Sequence, residues 1–412
     1  MKTKTILAIL AATVCLSLIA PAQTWTPSLS SSEPFTAIAS SADGTKLFAA
    51  GGYWTYGIST NSGATWTTGT EPQIGSEYGD WDCVALSGNG STLVALNGNG
   101  VWSSTNLGSS WFSNNVPTVK LWASVALSAD GTKSVAVDGR TAFGPNGPGG
   151  GIYISTNSGM TWSETLAPTN TWSSVASSAD GTVLAACAGG QPTVPVYVST
   201  NSGATWAPHP TPTNIDCYCI ACSADGRKLI VGGNAVINGG TGIIYTSTNW
   251  GYTWVSNSTP LSYNPWFGVA SSADGNRLVA VGQDGGGAIF TSTNSGIIWT
   301  PNSVPIANWL SVASSADGTK LAVAGVVGTF SGAIYTWQST PTPQLNSSLT
   351  NGNLALSWLI PSTNFVLQRS SDLTTTNWST VTNTSILNFT NLLYQVSLPA
   401  SGGNAFFRLA TP

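Results

Sequence analysis

Charge is scarce in this sequence. Only 7% of its 412 residues are Asp, Glu, Lys or Arg, 12 of them basic and 16 acidic. No basic stripe exists, which excludes nucleic acid and anionic membrane surfaces as partners. Histidine occurs once, at His209 between Pro208 and Pro210. A proline-flanked loop histidine positions a general base poorly, so a Ser-His-Asp site has no support. No phosphate-cradling glycine motif stands between a strand and a helix, and no helix-period apolar stripe appears after residue 22. Apart from residues 6–20, no apolar run approaches the roughly 18–20 residues a membrane helix needs. Cysteine is sparse too. Beyond Cys15 there are five, Cys83, Cys187, Cys217, Cys219 and Cys222, and an odd number in an oxidising compartment leaves at least one thiol unpaired. They read as small buried hydrophobes. The alternatives are a disulfide within 217–222 or to Cys187, and zinc held with His209 and Asp216, whose spacing matches no usual ligand knuckle.

What the chain has is repetition. Ser-Thr-Asn-Ser-Gly-Ala-Thr-Trp stands at 59–66 and again at 199–206, with near-copies starting at Ser104, Ser155, Ser247 and Ser292. A second motif, Ser-Ala-Asp-Gly-Thr-Lys-Leu and its variants, places its third residue at Asp43, Asn89, Asp130, Asp180, Asp225, Asp274 and Asp317, at spacings of 46, 41, 50, 45, 49 and 43 residues. Asp-Gly and Asn-Ser-Gly between β-branched or aromatic runs are hairpin signals, because Gly and Asn accept positive φ cheaply. Each unit therefore reads as four short strands. Four strands every 40–50 residues or so is the period of a propeller blade. The first motif has seven copies and the second six, and Gln23-Thr24-Trp25-Thr26 looks like the tail of the missing box. The expected fold is all-β: a seven-bladed β-propeller over 23–340, with the N-terminal strand closing the last blade so that no sheet edge stays open.

These boxes resemble the Asp-box (BNR) repeat, Ser-x-Asp-x-Gly-x-Thr-Trp, of sialidase-like propellers, a superfamily that includes glycosidases, sortilin-type receptors and a photosystem assembly factor. One departure is systematic: Asn61, Asn106, Asn157, Asn201, Asn249 and Asn294 stand where the family has Asp. The resemblance implies that each box is a structural hairpin with its Trp packed inside the blade. It also invites a sialidase reading, in which three arginines grip the substrate carboxylate. This propeller has only Arg140, Arg227 and Arg277, and two of them follow Asp-Gly turns, on the wrong face for a triad.

Residues 1–22 read as a secretory signal, with Lys2 and Lys4, the apolar stretch 6–20, and Ala20-Pro-Ala22 before Gln23. Without them ten basic and sixteen acidic residues remain, and the product is expected to be secreted (extracellular, periplasmic or cell-surface) and monomeric. Around 338–346 the repeat gives way to the stiff linker Gln-Ser-Thr-Pro-Thr-Pro-Gln. Residues 341–412 then read as a small β-sandwich, similar to a fibronectin type III module.

Both hairpin turns of a unit fall on one face of the disc, so binding is expected among the variable loops of the opposite face. Eight residues before each turn Asp or Asn stand Phe35, Trp81, Trp122, Trp172, Cys217, Trp266 and Trp309. Such a ring either wedges neighbouring blades apart or offers sugar rings a stacking platform near the channel mouth. The candidate binding residues are Trp54, Trp81, Trp122, Trp172, Trp266, Trp309, Asp80, Asp138 and Arg140. A two-carboxylate glycosidase would draw on Asp80, Asp82, Asp138, Glu164, Asp216 and Asp284, none of which stands in a motif. No catalytic residue, metal or cofactor is assigned. The expected function is non-enzymatic binding of a polysaccharide or a surface protein; the alternatives are a polysaccharide-degrading hydrolase or lyase, and a scaffold for protein assembly.

Overall fold

The structure, a computed structural model, describes residues 24–410 except 53–54, 71–80, 98–99, 115, 117–120, 141–148, 190–195, 211–214, 236–240, 258–264, 283–286, 303, 305–306, 329–330, 340–343, 351–352, 361–364, 373–376 and 400–404. Every regular element among them is a strand. Among the described residues, seven four-stranded antiparallel sheets are arranged as blades of a propeller. The first comprises Phe35–Ser40, Leu47–Gly51, Thr55–Ser59 and Thr67–Thr70 in that order, and the next five repeat the pattern from innermost strands Trp81–Leu86, Leu121–Leu127, Trp172–Ser177, Ile215–Cys222 and Trp266–Ser271. The last sheet takes three strands from the end of the repeat, Asn308–Ser314, Lys320–Val327 and Ser331–Gln338. Its fourth, outermost strand is Thr26–Ser31, set antiparallel with Thr26 opposite Thr336 and Ser31 opposite Gly332.

Local chemistry explains each unit. At the first hairpin Asp43 Oδ1 accepts from Ser41 Oγ (2.6 Å), the Thr45 amide (2.9 Å) and Thr45 Oγ1 (2.8 Å), while Gly44 takes φ of 66°, open to glycine at no steric penalty. Asn89 does the same work in the second sheet, accepting from Ser87 Oγ at 2.7 Å. At the second hairpin Ser59 Oγ donates to Asn61 Oδ1 (3.0 Å) and accepts from the Gly63 amide (2.9 Å); Asn61 Oδ1 also accepts from the Thr65 amide (2.9 Å). The amide nitrogen, which an Asp would lack, donates to Thr65 Oγ1 at 2.8 Å. The same bond recurs at Asn106, Asn157, Asn201 and Asn249.

Two features close the wheel. The residue before each turn Asp or Asn passes a backbone hydrogen bond to the same residue of the next sheet: Ala42 to Gly88, then Ala129, Ala179, Ala224, Ala273, Ala316 and back to Ala42, each N–H donating to the next carbonyl at 2.7–2.9 Å. Apolar clusters then fill every gap between sheets. Each gap holds one residue from the start of an innermost strand and one outer-strand tryptophan: Trp81 with Trp111, Trp122 with Trp162, Trp172 with Trp206, Trp266 with Trp299. Trp25 supplies the outer tryptophan beside Trp309, as the tail of a seventh box would.

Beyond the linker, Asn346–Thr350, Asn353–Leu359, Leu393–Pro399 and Ile386–Asn388 form one sheet and Ser379–Thr380, Val366–Ser370 and Phe406–Ala410 another. Leu354, Leu356, Trp358, Leu367 and Val396 form their core. This unit does not stand apart. Ile360 and Leu392 are buried with Ala42, Ala129, Ala179 and Ala316, flanked by Leu359, Leu387 and Phe389, and the Ile360 amide donates to the Leu392 carbonyl at 2.9 Å. Small side chains around the axis leave room for this apolar wedge, which covers the propeller's centre on the turn side.

Candidate functional site at the channel mouth

Both hairpins of a sheet share one end, tied together by bonds such as Ser62 N–H to Thr45 O (2.8 Å) and Ser202 N–H to Thr182 O (2.9 Å). With the C-terminal unit seated at the centre of that face, the opposite face carries the open surface. Here the innermost strands begin, and much of their surroundings, including Trp54 and Asp80, lies outside the described residues.

Of the two readings of the tryptophan ring, packing between blades is the one its burial fits. Trp81, Trp122, Trp172, Trp266 and Trp309 are at most 4% exposed. Four of them stand edge-on against a ring from the third strand, Trp122 on Tyr153 at 5.3 Å, Trp172 on Tyr197 at 5.4 Å, Trp266 on Phe290 at 5.6 Å and Trp309 on Tyr335 at 5.5 Å, while Trp81 stacks on Trp111 at 5.8 Å. The gap between sheets narrows toward the axis, and a large ring fills it better than any aliphatic side chain. These five indoles present no face to a sugar.

Immediately after each of these residues the pairing slips by one. The register shifts fall between Phe35/Ala37, Trp81/Cys83, Trp122/Ser124, Trp172/Ser174, Cys217/Cys219, Trp266/Gly268 and Trp309/Ser311. A bulge re-aims one side chain, and the re-aimed residues form a second ring that differs in every sheet: Thr36, Asp82, Ala123, Ser173, Tyr218, Phe267 and Leu310. Asp82 is exposed and the others half-buried. Tyr218 and Phe267, from neighbouring sheets, lie nearly parallel, with centroids 5.8 Å apart and planes 6° apart. The Tyr218 hydroxyl donates to Asp216 Oδ2 at 3.0 Å. Burial and the Asp216 carboxylate push the phenol up to about 12, so it stays a neutral donor. Sequence reading stopped one residue short of this ring. The signal was the contrast between a near-constant aromatic and its variable successor.

The remaining candidates scatter. Asp138 is buried opposite Trp122, where other sheets carry Gly51, Gly233 and Gly325; a Cβ at those glycines would collide with the carbonyls of Pro34, Asp216 and Asn308. Arg140 ends the strand Ser134–Arg140, and its side chain lies outside the described residues. Asp138 and Glu164 belong to one sheet, on its second and fourth strands. A Cβ on Gly150 would meet the Asp138 carboxyl carbon at 2.7 Å, and one on Gly151 the Glu164 carboxylate. Arg227 lies on the turn side, donating to the Thr248 carbonyl at 3.2 Å with its guanidinium 5.2 Å from the Trp250 ring.

His209 sits on an outer strand, its Nδ1 2.8 Å from the Trp250 carbonyl and its ring stacked on Tyr252. Cys217 and Cys219 lie on an innermost strand, so the histidine and these thiols do not share a site. All five described cysteines are free thiols, and burial pushes those of Cys83, Cys217 and Cys219 up, away from thiolate chemistry. A cavity of about 300 Å³ opens on the turn side at the seam, lined by Ser28, Asn61, Lys320 and Trp337. The matching grooves beside Lys133 and Lys228 measure about 10 Å³. It exists because the last sheet, closed by the N-terminal strand, has no box turn of its own, and it stands apart from the channel mouth.

No protein-family model matches the chain, and no curated protein matches its sequence. Solved structures do resemble it. YCF48 bound to D1 peptide superposes with a TM-score of 0.57 at 15% identity, over 78% of this chain and 97% of that one. YCF48 from Cyanidioschyzon merolae gives 0.57 at 16%, over 76% and 99%. The GH74 enzyme of Niastella koreensis gives 0.56 at 15%, over 82% of this chain and 59% of its own length, so this chain spans less than two thirds of that enzyme. At such identities the likeness concerns the fold.

Proposed function

We propose that this chain is a binding propeller that holds a protein partner on its loop face. The observation that carries the reading is the burial of Trp81, Trp122, Trp172, Trp266 and Trp309, which withdraws these five indoles from stacking on a sugar. Two further points support it. The C-terminal unit covers the centre of the turn face, leaving the loop face as the free one. Among propellers of similar fold, YCF48 has a structure bound to D1 peptide. The GH74 likeness concerns the fold, and neither Asp138 nor Glu164 stands in a motif that would assign them a two-carboxylate mechanism. We also propose export, from the signal-like residues 1–22. N-terminal sequencing of the protein made by its native host should begin at Gln23, and a retained Met1 overturns this part.

The full-length protein on a peptide array and a glycan array, with reducing-end assay of any glycan retained, tests the main reading. Saturable retention on peptides supports it. Retention on glycans alone, or sugar release, overturns it.

A further inference from the structure

The few charges of the propeller are sorted by face. The described cations with placed side chains, Lys46, Lys133, Arg227, Lys228, Arg277 and Lys320, all follow a turn Asp by two or three residues. Three of them bridge to the neighbouring sheet: Lys46 Nζ donates to Asn89 O at 2.9 Å, Lys133 Nζ to Asp180 O at 2.9 Å and Lys320 Nζ to Ser62 Oγ at 2.9 Å. The six turn aspartates balance these six cations on the same face. The loop side has no such balance. Glu33 precedes the innermost strand Phe35–Ser40, Asp82 and Asp216 sit at the start of innermost strands, Asp138 lies near the end of a second strand, and Glu164 stands on an outer strand beside Gly151. Among the described residues Arg140 is the cation that the backbone places there, and in the sequence Lys120 immediately precedes the innermost strand Leu121–Leu127. The net negative charge of the propeller is thus concentrated on the face left uncovered.

That face also carries the half-buried Tyr218–Phe267 pair, with the Asp216 carboxylate held 3.0 Å from the tyrosine hydroxyl. Aromatic faces beside a carboxylate attract a cationic side chain twice, through the ring quadrupole and through the charge. Asp82 stands at the equivalent bulge three sheets further round. Acidic phosphopeptides and anionic polysaccharides meet like charge here, and a neutral glycan gains nothing from it.

We infer that the loop face receives a protein segment bearing lysine or arginine, with Tyr218, Phe267 and Asp216 on one side of the channel mouth and Asp82 on the other. This rests on the protein-partner reading above. Fluorescence anisotropy of labelled twelve-residue peptides against the full-length protein tests it, using one peptide with four lysines in a Gly/Ser background, one with four glutamates and one uncharged. The lysine peptide should bind about tenfold or more tighter than the uncharged one, weakening as salt rises past the range where the screening length falls to about 10 Å. The double variant Asp82→Asn/Asp216→Asn should lose about tenfold, and Tyr218→Ala/Phe267→Ala a similar factor. Asp372→Asn, which removes a charge from the C-terminal unit, should change nothing, and thermal melts confirm that each variant folds. Equal binding of all three peptides, silence with all three, or full retention of the lysine peptide by Asp82→Asn/Asp216→Asn overturns the inference. If the uncharged or glutamate peptide binds best, this inference fails while the protein-partner reading survives. If glycans alone bind, both fail.

Discussion

The two faces of the wheel are made by the same seven stretches of chain, yet they obey different rules. On the turn face every sheet repeats one hydrogen-bond pattern: a serine, then Asp or Asn, then Gly with positive φ, and a backbone bond to the next sheet. On the loop face the bulged residues are Thr, Asp, Ala, Ser, Tyr, Phe and Leu in turn. Repetition marks positions where geometry leaves one solution, and variety marks positions free to meet a partner. The lesson holds within a single strand. Trp266 is almost wholly buried, and Phe267, its neighbour, is half-open to the channel mouth.

The contrast breaks most visibly at the wedge tryptophans. Trp172→Ala or Trp309→Ala should lower the free energy of unfolding by about 3–5 kcal/mol, read by urea denaturation. Asp82→Asn, on the other face, should stay within about 0.5 kcal/mol of the parent. Comparable losses at both positions would erase the distinction between the faces.

Next in size is the axial contact. Ile360→Ala should remove about 2–4 kcal/mol of docking and expose the 338–346 linker to protease while the wheel stays closed. If cleavage of the linker is unchanged, the C-terminal unit is not held by this wedge.

Smaller effects come from single turns. Ser41→Ala removes the donor to Asp43 and the acceptor for the Lys46 amide at 3.0 Å, a loss of about 1–2 kcal/mol. Asn61→Asp in a box keeps the accepting oxygen and reverses the bond to Thr65 Oγ1, whose hydroxyl then donates, so its thermal midpoint should move by a few degrees at most.

The smallest effect is a pH dependence. Burial pushes the carboxyls of Asp43, Asp130, Asp180 and Asp274 up, but hydrogen bonds from Ser41, Ser128, Ser178 and Ser272 and from the residue two places on outweigh it. Each is held below its ordinary 3.8. A depressed carboxyl contributes stability above its unfolded value and loses it as pH falls through the lower folded one. Melting should therefore be flat above about pH 5 and fall steeply below about pH 4. Asn89 already fills this turn position in the second sheet, so Asp130→Asn should fold normally and blunt the acid limb. An unchanged limb would show that the turns do not drive it.

The hairpins were legible because Asp-Gly and Asn-Ser-Gly state their geometry locally, and the strand of Trp25 was legible because one box tail was missing. The bulges were not, since a slipped register shows only in the partner strand. Nor was the wedge on the alanine circle: Ala42 and Leu392 are 350 residues apart, and nothing local in either reports the other. The same limit left two readings open for the tryptophans, whose position near the axis was readable while the side they faced was not.

By itself the sequence determined the period, the turns, the shortage of cations and hence the closed wheel of small sheets, because each depends on residues a few places apart. The tertiary structure alone decided which face is capped, which aromatics are buried and which neighbour looks outward. Those outcomes depend on how seven narrowing gaps are filled, and only the assembled ring sets the width of a gap.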